Sequence, residues 1–156
     1  MQSTMLNGHF EVSYPNGFHV LDAEEQQRVF LQETPDRWAI RDEKLHILFT
    51  VQWHRSNAML VKVASAKDQA KRIGKAARKA YAKQGFSGGV PFRTEFCGQS
   101  TWGVRFQHQV DGVVQDAEAV VAKHEDCMYM AYTYRRDGAS DRVRKACDAI
   151  TCRIVP

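Results

Sequence analysis

The dipeptide Asp111-Gly112 constrains this chain more than any other feature, because it suits a two-residue hairpin turn whose central residues both need positive φ. Laying out the flanking residues from it puts Val110 opposite Val113, His108 opposite Gln115, Phe106 opposite Ala117, Val104 opposite Ala119 and Trp102 opposite Val121. Side chains alternate across a strand, so all of these share one face, on which large residues meet small ones. The other face carries Arg105 across from Glu118 and Gln107 across from Asp116. The second turn reads as the four residues Lys123-His124-Glu125-Asp126, which pairs Ala122 with Cys127 and brings Met128, Met130, Tyr132 and Tyr134 onto the same apolar face. The last third of the chain is therefore a three-stranded antiparallel meander.

Upstream, Phe10, Val12 and Tyr14 alternate, and Pro15-Asn16-Gly17 turns the chain into Phe18, Val20 and Leu21, which reads as a short opening hairpin. Residues 22–27 are polar, suited to a loop or one helical turn. Arg28 to Gln32 reads as a strand broken by Thr34-Pro35-Asp36. Leu45, Ile47, Phe49, Val51 and Trp53 then alternate across nine residues as a strand with an apolar core face.

Residues 65–84 form the expected central helix, opened by Ser65-x-x-Asp68 in the manner of a capping box and closed by Gly85. Ala66, Ala70, Ile73, Ala77, Ala80 and Tyr81 make its buried stripe. From Gly85 to Pro91, with Gly88-Gly89 inside it, the chain reads as a flexible loop, followed by a strand around residues 92–97. Ser140 caps a final helix striped by Val143, Ala146, Cys147 and Ile150, after which Ile154 and Val155 tuck the end of the chain inward.

Strands, a long helix, more antiparallel strands and a short terminal helix specify an α+β class: an antiparallel sheet packed by the two helices, over one domain of residues 1–156. Hydrophobic residues at 44% and charged ones at 26% describe an ordinary soluble globular protein, and no apolar run is long enough to span a bilayer. Residues 1–8 lack the basic flank and apolar core of a signal peptide, so the cytoplasm is the default location, with secretion after removal of a leader as the alternative. Cys97, Cys127, Cys147 and Cys152 make no CxxC and are expected as reduced, buried thiols. A disulfide from Cys147 or Cys152 to a strand cysteine is the other arrangement the spacing admits.

The opening Phe10-x-Val12-x-Tyr14-Pro15-x-Gly17-Phe18, the central helix after a long strand, and the meander ending in a short helix resemble the fold shared by the photosystem protein PsbP and the Ran-binding Mog protein. That group includes bacterial PsbP-like lipoproteins and the Eag-type chaperones. The resemblance implies a binding module: its members share no catalytic constellation.

Chemistry concentrates on the central helix. Lys67, Lys71, Lys75, Lys79 and Lys83 recur every four residues with Arg72 and Arg78 beside them, and only Asp68 offsets these seven cations. The whole chain carries only +4, so the basicity is local. Rows at i+4 stay on one side of a helix, here the side away from Ile73 and Ala77, and each like-charged neighbour costs a few tenths of a kcal/mol. The row reads either as a solvated, lysine-rich face or as a surface for an anionic partner, for which Lys71, Lys75, Arg78 and Lys79 are the candidate binding residues; an open sheet face could hold a partner instead. Without aromatic interleaving beyond Tyr81 the row fits an acidic protein surface better than nucleic acid.

Catalytic signals are weak. Gly88-Gly89 leads to a proline and a strand, and Gly74-Lys75 lies inside a helix, so no phosphate loop is present, and there is no HExxH or GxSxG. His124-Glu125-Asp126-Cys127 gathers four ligand types on one turn too tight to aim them at one ion. His108 is expected as a hydrogen-bonded structural histidine, His46 and His54 as surface residues, and Trp53 and Trp102 as core. No cofactor or metal is required. The expected function is a non-enzymatic protein-binding module, adaptor or chaperone-like, for a partner with an acidic surface; a homodimer is also admitted. The alternative is an enzyme or small-ligand binder with a cleft near the Gly85 to Pro91 loop.

Overall fold

A computed structural model describes residues 1–30, 32, 34 and 36–156. In chain order the elements are β1 (Gln2–Leu6), β2 (Phe10–Tyr14), β3 (His19–Val20), α1 (Ala23–Val29), β4 (Arg37–Asp42), β5 (Ile47–Arg55), α2 (Ala58–Val63) and α3 (Ala66–Ala80). They continue as β6 (Ser87–Phe96), β7 (Gln99–Val110), β8 (Val113–His124), β9 (Cys127–Arg136), α4 (Asp141–Asp148) and β10 (Thr151–Ile154). The class is α+β, with antiparallel pairing throughout: one sheet ordered β1-β2-β10 and one ordered β3-β4-β5-β9-β8-β7-β6.

The hairpin at Asp111-Gly112 has the expected geometry, with φ of 50° and 79° at the two turn residues. Its register holds from Val110↔Val113 through Phe106↔Ala117 to Gly103↔Val120. The ladder ends there, one position short of Trp102 and Val121, so that expected pair is not part of it. Trp102 is half-buried beneath α3, with Lys67 Nζ 4.8 Å from its ring centre. The second turn has two residues rather than four. His124 pairs with Cys127, and Ala122 with Tyr129 instead of Cys127. Glu125 takes the positive φ, 52°, while Asp126 accepts the Ser56 N–H and faces Arg55. Because side chains alternate with period two, this shift leaves every face unchanged.

Both faces of the large sheet are buried along β8 and β9. Ala117, Ala119 and Val121 with Met128, Met130, Tyr132 and Tyr134 face α3 through Ile73, Ala77 and Tyr81. Val120, Ala122, Cys127, Tyr129 and Ala131 face the small sheet, where Phe10, Val12 and Tyr14 enter a core completed by Ile40, Ile47, Phe49 and Val51. Phe10 stacks on Tyr129 with ring centres 4.4 Å apart. Val143, Ala146 and Cys147 of α4 close the same layer.

The opening hairpin is corrected accordingly. β2 pairs with β1 and with the C-terminal β10, Ser13 lying between Ser3 and Thr151, whereas Phe18 to Leu21 leave for the large sheet, where β3 pairs with β4. The Pro15 turn, closed by Phe18 N–H to Pro15 O, moves the chain between sheets. The strand expected from Arg28 to Gln32 is corrected too: Arg28 and Val29 belong to α1, and Leu31 and Pro35 lie outside the described residues. A full capping box forms this helix, the Asp22 carboxylate accepting from Glu25 N and the Glu25 carboxylate from Asp22 N.

The central helix ends at Ala80, four residues before its expected end, and Ala80 is exposed rather than buried. Ser65 Oγ accepts from Asp68 N, and the carboxylate of Asp68 sits at the positive end of the helix. The expected 85–91 loop is mostly strand: β6 starts at Ser87, and Gly88 and Gly89, with φ of 91° and 95°, form a bulge before Pro91 pairs with Val104. A Cβ on Gly74 would lie 2.8 Å from Gly89 O, so this helical glycine lets α3 rest on the bulge. Gly→Ala inside a helix ordinarily stabilises by about 0.5–1 kcal/mol; Gly74→Ala is expected to destabilise by about 1–3 kcal/mol in a urea titration, since backbone must give way. A gain would show that α3 does not lie this close.

Candidate partner-binding face

α3 displays its charges because its apolar residues can bury only one stripe. Ala70, Ile73, Gly74 and Ala77 are buried, and Lys71, Lys75, Arg78 and Lys79 are all exposed, as their spacing requires. Two of the helix's cations contact neighbours: Lys67 covers Trp102, and Arg78 lies 5.7 Å from the Phe86 ring centre, its guanidinium 3.5 Å from Gly88 O. Lys71, Arg72, Lys75, Lys79 and Lys83 have no ion-pair partner among the described residues. Seven cations against one carboxylate on α3 and the turn after it thus form a positive ridge along a helix about 22 Å long.

The expected cleft near residues 85–91 takes another form. An open trough of about 780 Å³ runs over the outer face of β6–β9, lined by Ser87, Gly88, Arg105, Asp116, Glu118 and Arg135. Two pairs of its polar groups meet: Arg105 Nε donates to Glu118 Oε2 at 2.8 Å, and Gln107 Nε2 to Asp116 Oδ1 at 2.6 Å, while Asp148 at its α4 side is in no ion pair among the described residues. No histidine lines it. A shallower depression beside it is lined by Arg78, Ala82 and Phe86.

The remaining candidates separate in space. His108 is 3% exposed, opposite Gln115, but it is held by stacking on Tyr81 at 3.9 Å, and its Nδ1 has no hydrogen-bond partner among the described residues, in place of the hydrogen bonding expected. Burial lowers its pKa and raises those of Tyr81 and Tyr134; Tyr132 is pushed up to about 12. His46 and His54 are exposed. Trp53 is half-buried 6.3 Å from Tyr129. In the 124–127 turn the four ligand types do not share one point: His124 lies 4.3 Å from His9 with the rings tilted and 3.6 Å from Glu125, Asp126 meets Arg55, and Cys127 enters the core. All four cysteines are free, and burial pushes the Cys97 thiol up to about 12.

His9 joins the two sheets. Its Nε2 lies 2.6 Å from Tyr129 Oη, which also accepts from Asn7 Nδ2. Burial, then the neighbouring His124, lowers its pKa below the ordinary 6.5. His9 and His108 both titrate lower folded than unfolded, so the unfolded chain takes up protons first as pH falls. Stability is therefore expected to be full above about 6.5 and to drop as pH descends toward the folded values, and the double replacement His9→Gln with His108→Phe should flatten that drop. Urea midpoints that do not change between pH 7.5 and 5.5 would contradict it.

Sequence reasoning passed over α2 altogether. Its signals were Asn57, whose side chain accepts from Met59 N, and the apolar run behind it.

No family profile and no characterised protein sequence matches the chain. Solved structures do match. Cyanobacterial PsbP (CyanoP) from Synechocystis superposes with a TM-score of 0.60 at 14% identity, covering 96% of this chain and 90% of its own. LpqN of Mycobacterium tuberculosis, involved in cell envelope biogenesis, gives 0.54 at 13%, covering 94% and 83%. A Bacteroides thetaiotaomicron protein gives 0.57 at 10%, covering 94% of this chain, which spans only 45% of that longer protein. The fold is thus PsbP-like, the resemblance stated on the opening motif, and at these identities the likeness is one of fold.

Proposed function

We propose that this protein is a non-enzymatic binding module that holds a protein partner with an acidic surface against the exposed ridge of α3. One observation carries the reading: five exposed cations, Lys71, Arg72, Lys75 and Lys79 on the side of a helix whose other side is buried and Lys83 in the turn after it, stand in no ion pair among the described residues. A helix needing only solubility gains stability by interleaving glutamates at i+4, and this one forgoes that gain. The trough over the outer sheet is a weaker basis for an enzyme, since two of its three carboxylates, Asp116 and Glu118, are already engaged and no histidine lines it. Four unbridged thiols fit a cytoplasmic setting. No helix among the described residues is long and apolar enough to cross a membrane.

The test is the triple variant Lys71→Glu, Lys75→Glu, Lys79→Glu with a partner captured from the native host. Complex formation is expected to be lost with the unfolding curve unchanged, because these side chains make no core contact. Wild-type binding should weaken steeply with salt, exposed charges being screened over about 8 Å at physiological ionic strength. Normal capture by the triple variant would sink the proposal. A nucleic acid engaging four of the cations would instead show a log–log salt slope of about −2.8 to −3.6.

A further inference from the structure

We propose that α2 is an interfacial anchor that settles this protein on anionic lipid surfaces. It goes beyond the partner reading and rests on other residues. Along α2 only Val61 packs inward, while Met59, Leu60 and Val63 are 73%, 60% and 73% exposed. At 100° per residue Met59 and Val63 project directly away from Val61, with Leu60 on one flank and Lys62 on the other. Single exposed apolar side chains are ordinary, but three within one short helix form a patch.

The helix is also held in place. Asn57 caps its start, and Lys123 Nζ donates to Lys62 O at 3.2 Å and Ala64 O at 2.6 Å, fastening its end to β8.

Charge selects the occupant. Lys62 on α2 and Lys67 at the start of α3 are exposed beside this patch, neither in an ion pair among the described residues, with Asp68 the one carboxylate of that first turn and the Lys123 ammonium taken up by the α2 carbonyls. A second copy of this chain would bring like charges together across a symmetric contact, so the surface that fits is anionic. Shape selects further. The apolar side chains stand out into solvent as a ridge, and no α2 residue lines either of the two depressions described above. A protein partner would have to supply a pocket. A bilayer interface receives protruding apolar side chains without one, while lysine stems keep their ammonium groups at the phosphates. Three side chains plus local cations give reversible adsorption at the interface and no crossing of it.

The experiment is co-sedimentation with vesicles of phosphatidylcholine containing roughly a third phosphatidylserine, against phosphatidylcholine alone. Wild-type protein is expected on the anionic vesicles only, released by raised salt. Met59→Ser, Leu60→Ser and Val63→Ser together should lower the partition coefficient by about a thousandfold, about tenfold for each apolar side chain withdrawn. The substituted positions are exposed, and an unchanged circular dichroism spectrum would verify folding. Met59→Trp should shift its emission to the blue on the anionic vesicles. Wild-type protein that ignores anionic vesicles overturns the proposal, as does a triple serine variant that sediments like wild type, which would mean adsorption through lysines alone. Loss of a soluble protein partner by that variant, with no vesicle binding by wild type, would assign the ridge to a protein interface instead. The Lys71, Lys75, Lys79 variant reads the α3 proposal separately.

Discussion

Phe10→Ala is expected to cost about 3–5 kcal/mol, a large share of the roughly 5–15 kcal/mol that holds an ordinary domain together. The ring is fully buried between the two sheets, stacked on Tyr129 and 6.3 Å from Phe96, so truncation opens a cavity where neither sheet can collapse without breaking its ladder. Its neighbour provides the control. Glu11 points to the outer side of the same strand and pairs with Arg153 at 3.0 Å, an exposed contact whose removal should cost under about 1 kcal/mol. Urea titrations of the two variants should therefore differ several-fold, and equal losses would mean that the small sheet is not docked through Phe10.

The second large effect lies on the opposite face. Phe106→Ala should also cost about 3–5 kcal/mol. Its ring pairs across the ladder with Ala117, lies 5.8 Å from Phe86 and 6.2 Å from Tyr81, and holds α3 to the sheet at its C-terminal end. Arg105→Ala, one residue away, removes an exposed ion pair with Glu118 and a guanidinium 4.1 Å from the Phe92 ring centre, and should cost under about 1 kcal/mol. If the two variants unfold at the same urea concentration, the division of faces is wrong.

These two residues differ in how far they could be read beforehand. Phe106 belongs to a hairpin whose turn, Asp111-Gly112, dictates every pair for eight positions outward, so its face and partner follow from local chemistry. The β8–β9 turn shows the limit of that logic. Glu125 takes a left-handed conformation, rare for a residue with a side chain, so the pairing differs from a four-residue turn, yet the faces are kept because a shift of this kind preserves side-chain parity.

Phe10 has no such local guide. Its strand partners are β1 and β10, and the second of these lies at the other end of the chain, where four short residues carry no distinctive pattern. The strand expected from Arg28 to Gln32 gives way for the opposite reason: its apolar residues suggest a strand, and the Asp22–Glu25 capping box a few residues earlier places Arg28 and Val29 in a helix. Gly88-Gly89 looked like a loop because glycine pairs usually mark one; a strand bulge under a close-lying helix needs the same residues. For the candidate face, the cations of α3 were legible as a charge pattern, and their lack of partners was not. The apolar ridge of α2 was invisible, since exposure cannot be told from burial in a six-residue run of Ala, Met, Leu, Val and Lys.

The pairing of Thr151 with Ser13 and of Ile154 with Phe10 has a kinetic consequence. Every pair in the large sheet from β6 to β9 joins neighbours in sequence and can form as those strands leave the ribosome, whereas β2 gains its second neighbour only when the last strand has been made. Closing so long a loop is entropically slow, and until it closes, one edge of β2 presents unpaired backbone groups beside Phe10, Val12 and Tyr14. The newly made chain is therefore most open to misassociation in the interval before residues 151–154 arrive, and the speed with which β10 docks sets how long that interval lasts.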